Sequence, residues 1–274
     1  MKKRHGLRLK KGLGQHILKN RDMIDEIIAR AGFSASDHVI EVGPGLGALT
    51  LPMARCVHHI YAVEKDPHLA WMLAKHLSRE GILNVSLVIQ DILEVDFSEF
   101  PPPSGGKVGV IGNLPYHISS PFLEKLIENR EQVSRAVLMF QREVARRLIA
   151  SPRTKEYGAL SVLIQYHARI SPLLEVSREA FYPIPKVDSM VVEIDFERPH
   201  PQRTPNEDYF RRIVRSAFSH RRKTLVNSLR ASPFSWGAAD VLKALRECTI
   251  DPSERAEALS IDDFLCLSHA LREK

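Results

Sequence analysis

The stretch Val39-Ile40-Glu41-Val42-Gly43-Pro44-Gly45-Leu46-Gly47-Ala48 decides the fold. An apolar, β-branched run passes directly into a glycine-rich turn, and from residue 46 to 57 the apolar spacing becomes helical. A strand that turns sharply into a helix needs residues without a β-carbon, both to reach unusual dihedrals and to let a ligand approach the main chain. The same alternation continues on either side. Residues 60–64, 85–89, 108–111 and 135–140 read as strands, and 67–80 and 121–129 as helices. Strand and helix in alternation predict an α/β chain whose mostly parallel sheet is covered on both faces. Residues 168–176 and 187–196 read as two further strands, the second as a hairpin partner at the sheet edge.

Pro199, Pro201 and Pro205 fall among polar residues, where neither a helix nor a central strand can continue. Beyond them, 207–218, 221–229, 238–248 and 261–271 have helical spacing only. The 274 residues therefore divide into a basic arm at 1–21, an α/β domain at 22–200 and a small all-helical domain at 201–274. Residues 101–106 form a short exposed loop insertion. With 44% hydrophobic residues a sizeable core is available. The longest apolar runs stop far short of the ~20 residues that span a bilayer, so no membrane segment is expected.

The formal charge of +6 is uneven. Lys2, Lys3, Arg4, Arg8, Lys10, Lys11, Lys19 and Arg21 crowd the arm, and Arg203, Arg211, Arg212, Arg215, Arg221, Arg222, Lys223 and Arg230, opposed only by Glu207 and Asp208, crowd the helical domain. Two such clusters suit a polyanionic partner. Gly6, Gly12, Gly14 and the basic residues between them interrupt any secretory apolar stretch. Cys56, Cys248 and Cys266 are scattered without a pairing motif, so they are expected to be reduced and inert, as suits a cytoplasmic protein.

Glu64 closes the strand after the glycine turn, about twenty residues further on, where an acid can accept both hydroxyls of a ribose. Gln90-Asp91 follows the next strand, so Asp91 reaches the same sheet edge and can accept from an adenine amino group. A nucleoside-bearing cofactor fits. The glycine spacing alone does not separate a nicotinamide dinucleotide from S-adenosylmethionine.

Residues 41–47 (Glu-Val-Gly-Pro-Gly-Leu-Gly), Glu64, Asp91 and Asn113-Leu114-Pro115-Tyr116 together resemble the S-adenosylmethionine-dependent ribosomal RNA adenine dimethyltransferases. Leu13-Gly14-Gln15-His16-Ile17-Leu18 is similar to that family's N-terminal motif. Phe181-Tyr-Pro-Ile-Pro-Lys-Val-Asp-Ser189 is similar to its second aromatic motif, and Phe218-Ser-His-Arg-Arg-Lys-Thr-Leu225 to its C-terminal basic signature. The resemblance implies a Rossmann-like methyltransferase sheet with a helical C-terminal domain. It assigns His16, Leu18, Gly43, Gly45, Glu64, Asp91 and Asn113 to the cofactor pocket. Family members often carry asparagine at the place of His16 and phenylalanine at that of Ile17.

An exocyclic adenine nitrogen is a poor nucleophile, because its lone pair is delocalised into the ring. Asn113 and the Leu114 carbonyl can accept its two hydrogens and aim the lone pair, so that positioning at roughly 3 to 3.5 Å replaces a general base. Tyr116 and Phe181 are expected to sandwich the extruded base, and Lys10, Lys11, Arg221, Arg222 and Lys223 to neutralise RNA phosphates. The implied substrate is a pair of adjacent adenosines in the 3′-terminal hairpin loop of 16S RNA in the small ribosomal subunit, modified by a monomer. The competing readings are a large-subunit enzyme of the antibiotic-resistance type, a DNA adenine methyltransferase, a non-catalytic assembly factor and a nicotinamide-linked oxidoreductase. No metal is expected, since no Cys-x-x-Cys or His-Glu-x-x-His spacing occurs.

Overall fold

A computed structural model describes residues 16–100, 102, 105–220, 222–232, 234 and 236–271. The arm through Gln15, with Lys10 and Lys11, lies outside these residues, as do Arg221 and residues 101, 103 and 104 of the loop insertion. The chain forms two compact units, Met1–Ala145 with Ser171–Glu197, and Arg146–Ile170 with Arg198–Lys274.

The first unit is built on a sheet. Its strands are β2 (His38–Val42), β3 (His59–Val63), β4 (Val85–Val88), β5 (Val108–Asn113), β6 (Val133–Gln141), β7 (Arg169–Val176) and β9 (Ser189–Asp195). A separate two-stranded ribbon pairs β1 (Ile17–Leu18) with β8 (Phe181–Tyr182). The sheet order is β4-β3-β2-β5-β6-β9-β7. β4 through β6 run parallel, and β9 returns antiparallel to β6. All five residues of β2 are buried, as a strand covered on both faces requires. The chain leaves β2 toward β3 on one side and reaches β5 on the other. That reversal of strand order opens a crevice at the carboxyl ends of β2 and β5.

Helices α1 (Arg21–Ala31), α3 (Pro67–Glu80) and α4 (Ser119–Glu128) accompany the sheet. Local chemistry fixes their ends. Asn20 accepts from the Met23 amide and Asp66 from the His68 amide, while Gly32 and Gly81 close α1 and α3 in the left-handed conformation. Each such N-cap contributes on the order of 1 kcal/mol.

The second unit gathers α6 (Ala159–His167), α7 (Glu207–Ala217), α8 (Leu225–Arg230), α9 (Ala238–Glu247) and α10 (Ile261–Ala270) around a core that includes Tyr166, Phe210, Trp236, Leu245 and Phe264. Asn206 caps α7 directly after the proline-rich stretch, and Ser260 and Asp263 form a capping box on α10.

Four expectations are corrected. Residues 46–57 supply only the short α2 (Thr50–Met53), because Gly47, at φ +89°, holds 45–49 in turns. β9 is an interior strand flanked by β6 and β7, and its largely continuous burial replaces the expected alternation. Arg146–Ile170, read as part of the sheet domain, belongs to the second unit, where Tyr166 packs on Phe210 and its hydroxyl accepts from the Thr204 amide. Cys248 and Cys266, expected to be reduced, form a disulfide across α9 and α10, with their Cα atoms 5.7 Å apart, and Cys56 is a free, exposed thiol.

That pairing has a direct readout. Protein purified without reductant and denatured is expected to show one thiol per chain by thiol titration, and three after reduction. Three thiols before reduction would mean that the pair is open.

Candidate functional site

The crevice at the carboxyl ends of β2 and β5 takes its walls from β1, from the glycine turn after β2, from Glu64 and Lys65 after β3, from Gln90 and Asp91 after β4, and from 113–118 after β5. Its shape follows from where side chains are missing. β5 comes so close to β2 that a β-carbon on Gly112 would lie 2.8 Å from the Val42 carbonyl oxygen. Gly47 plays a similar packing role, since a β-carbon there would meet Leu73 at 2.6 Å. Gly43 and Gly45 differ. Both sit at positive φ, and a β-carbon on either would meet nothing within 4 Å, so they border open space. Two glycines thus shape the packing and two face the cavity, which is what a main-chain cradle for a ligand requires.

Glu64 is buried at 6% exposure. One carboxylate oxygen accepts from the Gly45 amide at 3.1 Å and the other from the Asp66 amide at 2.8 Å. These bonds tie the glycine turn to the end of β3 and leave each oxygen a further lone pair toward the crevice. Burial raises the Glu64 carboxyl above its ordinary value, and the main-chain amides oppose that rise.

Asp91 accepts from the Leu93 amide at 3.0 Å and from the Lys65 ammonium at 2.6 Å. Burial pushes its carboxyl up, but Lys65 and the Leu93 amide outweigh this and hold it below the usual range. Asp91 is therefore a fixed anionic acceptor on the crevice wall, and Lys65 is a partner that the sequence reading did not name.

Asn113 ends β5. Its amide nitrogen donates to the His16 carbonyl oxygen at 2.9 Å, which fixes the amide plane and leaves the side-chain oxygen as the free acceptor. His16 thus acts through its main chain at this point. Its ring Nδ1 donates to the Pro183 carbonyl oxygen at 2.7 Å, and the ring stacks on Tyr116 with centroids 5.8 Å apart. The Tyr116 hydroxyl lies 3.1 Å from Ser189 Oγ. Burial pushes that phenol above its ordinary value, so it stays neutral near pH 7. Leu114 and Leu18 are both buried residues of the crevice wall.

Phe181 departs from expectation. It is 0% exposed, sits in the core with Leu18, Val176 and Ala180, and does not line the crevice. The two-residue period of β8 explains this: inward Phe181 leaves Tyr182 outward. Arg222 and Lys223 are exposed in the second unit, and Arg221 lies outside the described residues.

Glu41 is the crevice acid that the sequence reading quoted without giving it a role. It is fully buried near Thr50, and neither its Oε2 nor Thr50 Oγ1 has a hydrogen-bond partner among the described residues. Burial lifts its carboxyl to about 7, a rise opposed by Thr50 and reinforced by nearby Glu64. An orphaned buried oxygen beside an open glycine cradle suits a cationic ligand group. Among the described residues no cluster of three or more His, Cys, Asp or Glu side chains could hold a metal ion, and no helix is long and apolar enough to cross a membrane.

Residues 6–273 match the family model described as ribosomal RNA adenine dimethylase. The chain is 43% identical over 269 residues to the ribosomal RNA small subunit methyltransferase A of Desulforapulum autotrophicum, covering 98% of this chain and 94% of that one. It is 41% identical to the protein of the same name from Geobacter metallireducens, over 97% and 96% of the two chains. Among solved structures, a dimethyladenosine transferase from Plasmodium falciparum superposes with a TM-score of 0.77 at 27% identity, over 92% of this chain and 95% of that one. The 23S rRNA methyltransferase ErmE superposes at 0.70 and 26% identity, over 93% and 99%.

The Glu41 carboxyl gives a pH test. Its folded value lies above the ordinary 4.5, so its contribution to stability is full below pH 4.5 and is lost as pH rises through about 7. By calorimetry, Glu41→Gln is expected to melt higher than wild type at pH 8 without ligand and to lose less stability between pH 4.5 and 7. An unchanged slope would remove Glu41 as the titrating group.

Proposed function

The chain belongs to the ribosomal RNA adenine dimethylase family, and on that premise we propose that it transfers methyl groups from S-adenosylmethionine to N6 of adjacent adenosines near the 3′ end of 16S ribosomal RNA. The observation that carries this reading is Asn113, held by the His16 carbonyl with its side-chain oxygen free at the end of β5, beside the open glycine cradle.

S-adenosylmethionine, when bound, supplies an electrophilic methyl on a sulfonium. The residues fit such a group. Glu64 would accept the two ribose hydroxyls with its spare lone pairs, and Asp91 the amino group of the cofactor's adenine. Gly43 and Gly45 offer main chain to the methionine end, and Glu41 offers a buried anion that favours a nearby cation. Leu18 and His16 close the wall from β1. Methyl donor and acceptor are thereby confined to one crevice, and confinement in a reactive geometry lowers the barrier to transfer.

Asn113 Oδ1 and the Leu114 carbonyl would accept the two N6 hydrogens of the target adenine, turning its lone pair toward the methyl. The nitrogen's surplus proton leaves to water after transfer, because residues 113–116 include no side chain that ionises near neutral pH. Tyr116 contributes the face on which the extruded base lies, with His16 behind it. Phe181 has no place in this arrangement. Lys10, Lys11, Arg221, Arg222 and Lys223 neutralise phosphates, which predicts strong weakening of RNA binding by salt. The enzyme acts in the cytoplasm as a monomer on the small subunit or its precursor. The small-subunit assignment is favoured over the large-subunit type by relatives at 43% and 41% identity, against 26% for ErmE.

In a labelled-methyl assay on unmethylated small subunits, Asn113→Ala is expected to lower kcat by about a hundredfold, the scale of a misplaced reacting group, with KM for the subunits little changed. Full activity in the variant would remove the catalytic assignment. Product appearing in large-subunit RNA would overturn the substrate.

A further inference from the structure

The loop that follows β8 is an unusual surface for the sheet unit. Tyr182, Ile184 and Val187 are 61%, 56% and 44% exposed within one short segment, and Lys186 is exposed among them. Leaving three large apolar side chains in water on a single loop marks a contact surface better than it marks packing.

Strand pairing places that surface. In the ribbon, Ile17 is opposite Tyr182 and Leu18 is opposite Phe181. Residues opposite each other in an antiparallel pair share a face. Leu18 and Phe181 share the buried face, so Ile17 and Tyr182 share the exposed one; Ile17 and Leu18 both line the crevice, while Phe181 and Tyr182 lie one strand behind that wall. Tyr182, exposed, paired with crevice-lining Ile17 and followed by the Pro183 carbonyl that takes the ring of crevice-lining His16, therefore stands beside the crevice rather than inside it. Both ends of the loop are anchored to crevice residues: the Pro183 carbonyl accepts from His16 Nδ1, and Ser189 lies against the Tyr116 hydroxyl. Asp188 is held in turn by the Arg178 and Arg142 amides. Pro183 and Pro185 restrict the segment between, so little freedom is lost when its side chains are covered.

We propose that Tyr182, flanked by Ile184 and Val187, is the stacking platform for the unpaired base next in the chain to the reacting adenosine, with Lys186 meeting a backbone phosphate. This rests on the reading of the crevice as the site of an RNA adenine. A base flanking that adenine is tied to it by one phosphodiester and must leave the crevice at its mouth. An exposed aromatic face beside apolar side chains and a cation is the chemistry that takes up single-stranded nucleic acid with little regard to sequence. A patch of three side chains is too small for a stable protein interface.

The test uses the full chain and unmethylated small subunits, with labelled-methyl transfer measured against subunit concentration. Tyr182→Ala is expected to raise KM for the subunits roughly tenfold, in the range of one lost base stack, while kcat at saturation and cofactor affinity by calorimetry stay near wild type. Tyr182→Phe keeps the ring and is expected to behave as wild type. A KM for Tyr182→Ala within about twofold of wild type would overturn the proposal, as would Tyr182→Phe being equally damaging. Should Tyr182→Ala lose cofactor binding, Tyr182→Leu takes its place and must show the same rise in KM. Absence of transfer by wild type itself would instead refute the reading of the crevice.

Discussion

A carboxylate taken out of water stays in place only where dipoles replace the water, and Glu64 meets that condition with two main-chain amides. The amide of Gly45 comes from the turn after β2, and the amide of Asp66 from the start of α3. One side chain thus joins the glycine turn, the end of β3 and the cap of the next helix. The parallel sheet sets the neighbourhood, but this junction fixes the turn against the crevice. Asp91 from β4 and Asn113 from β5 then complete three sides around the same opening.

The second constraint is the close approach of β2 and β5 at Gly112. It brings Asn113 level with the glycine turn, so that a donor on the turn and an acceptor beside Asn113 would be neighbours. The segment 16–18, which ends in β1, supplies the remaining wall. Its His16 carbonyl orients Asn113, and its His16 ring reaches both Tyr116 and the loop after β8. A residue expected to act as a cofactor ligand thereby gains a positioning role that depends mainly on its backbone.

What the residues alone revealed follows from the range of the forces involved. The glycine turn, Glu64 and Asp91 were legible because strand-to-turn patterning is local and each acid closes a strand. Phe181 was misplaced because an aromatic in a motif has two faces to choose between, and only the pairing of β8 with β1 decides which is buried. The Cys248–Cys266 bond and the grouping of Arg146–Ile170 with the second unit depend on contacts between distant residues, which periodicity does not encode. Lys65 beside Asp91 and the orphaned oxygen of Glu41 were likewise invisible, since both arise from three-dimensional placement at the sheet edge.

The central claim is that the Glu64 junction both shapes the crevice and grips the methyl donor. Calorimetric titration of S-adenosylmethionine into wild type and Glu64→Gln tests it most directly. Loss of a charged acceptor for two hydroxyls is expected to weaken binding by about a hundredfold, with the variant still folded. Equal affinity in the two proteins would contradict the account.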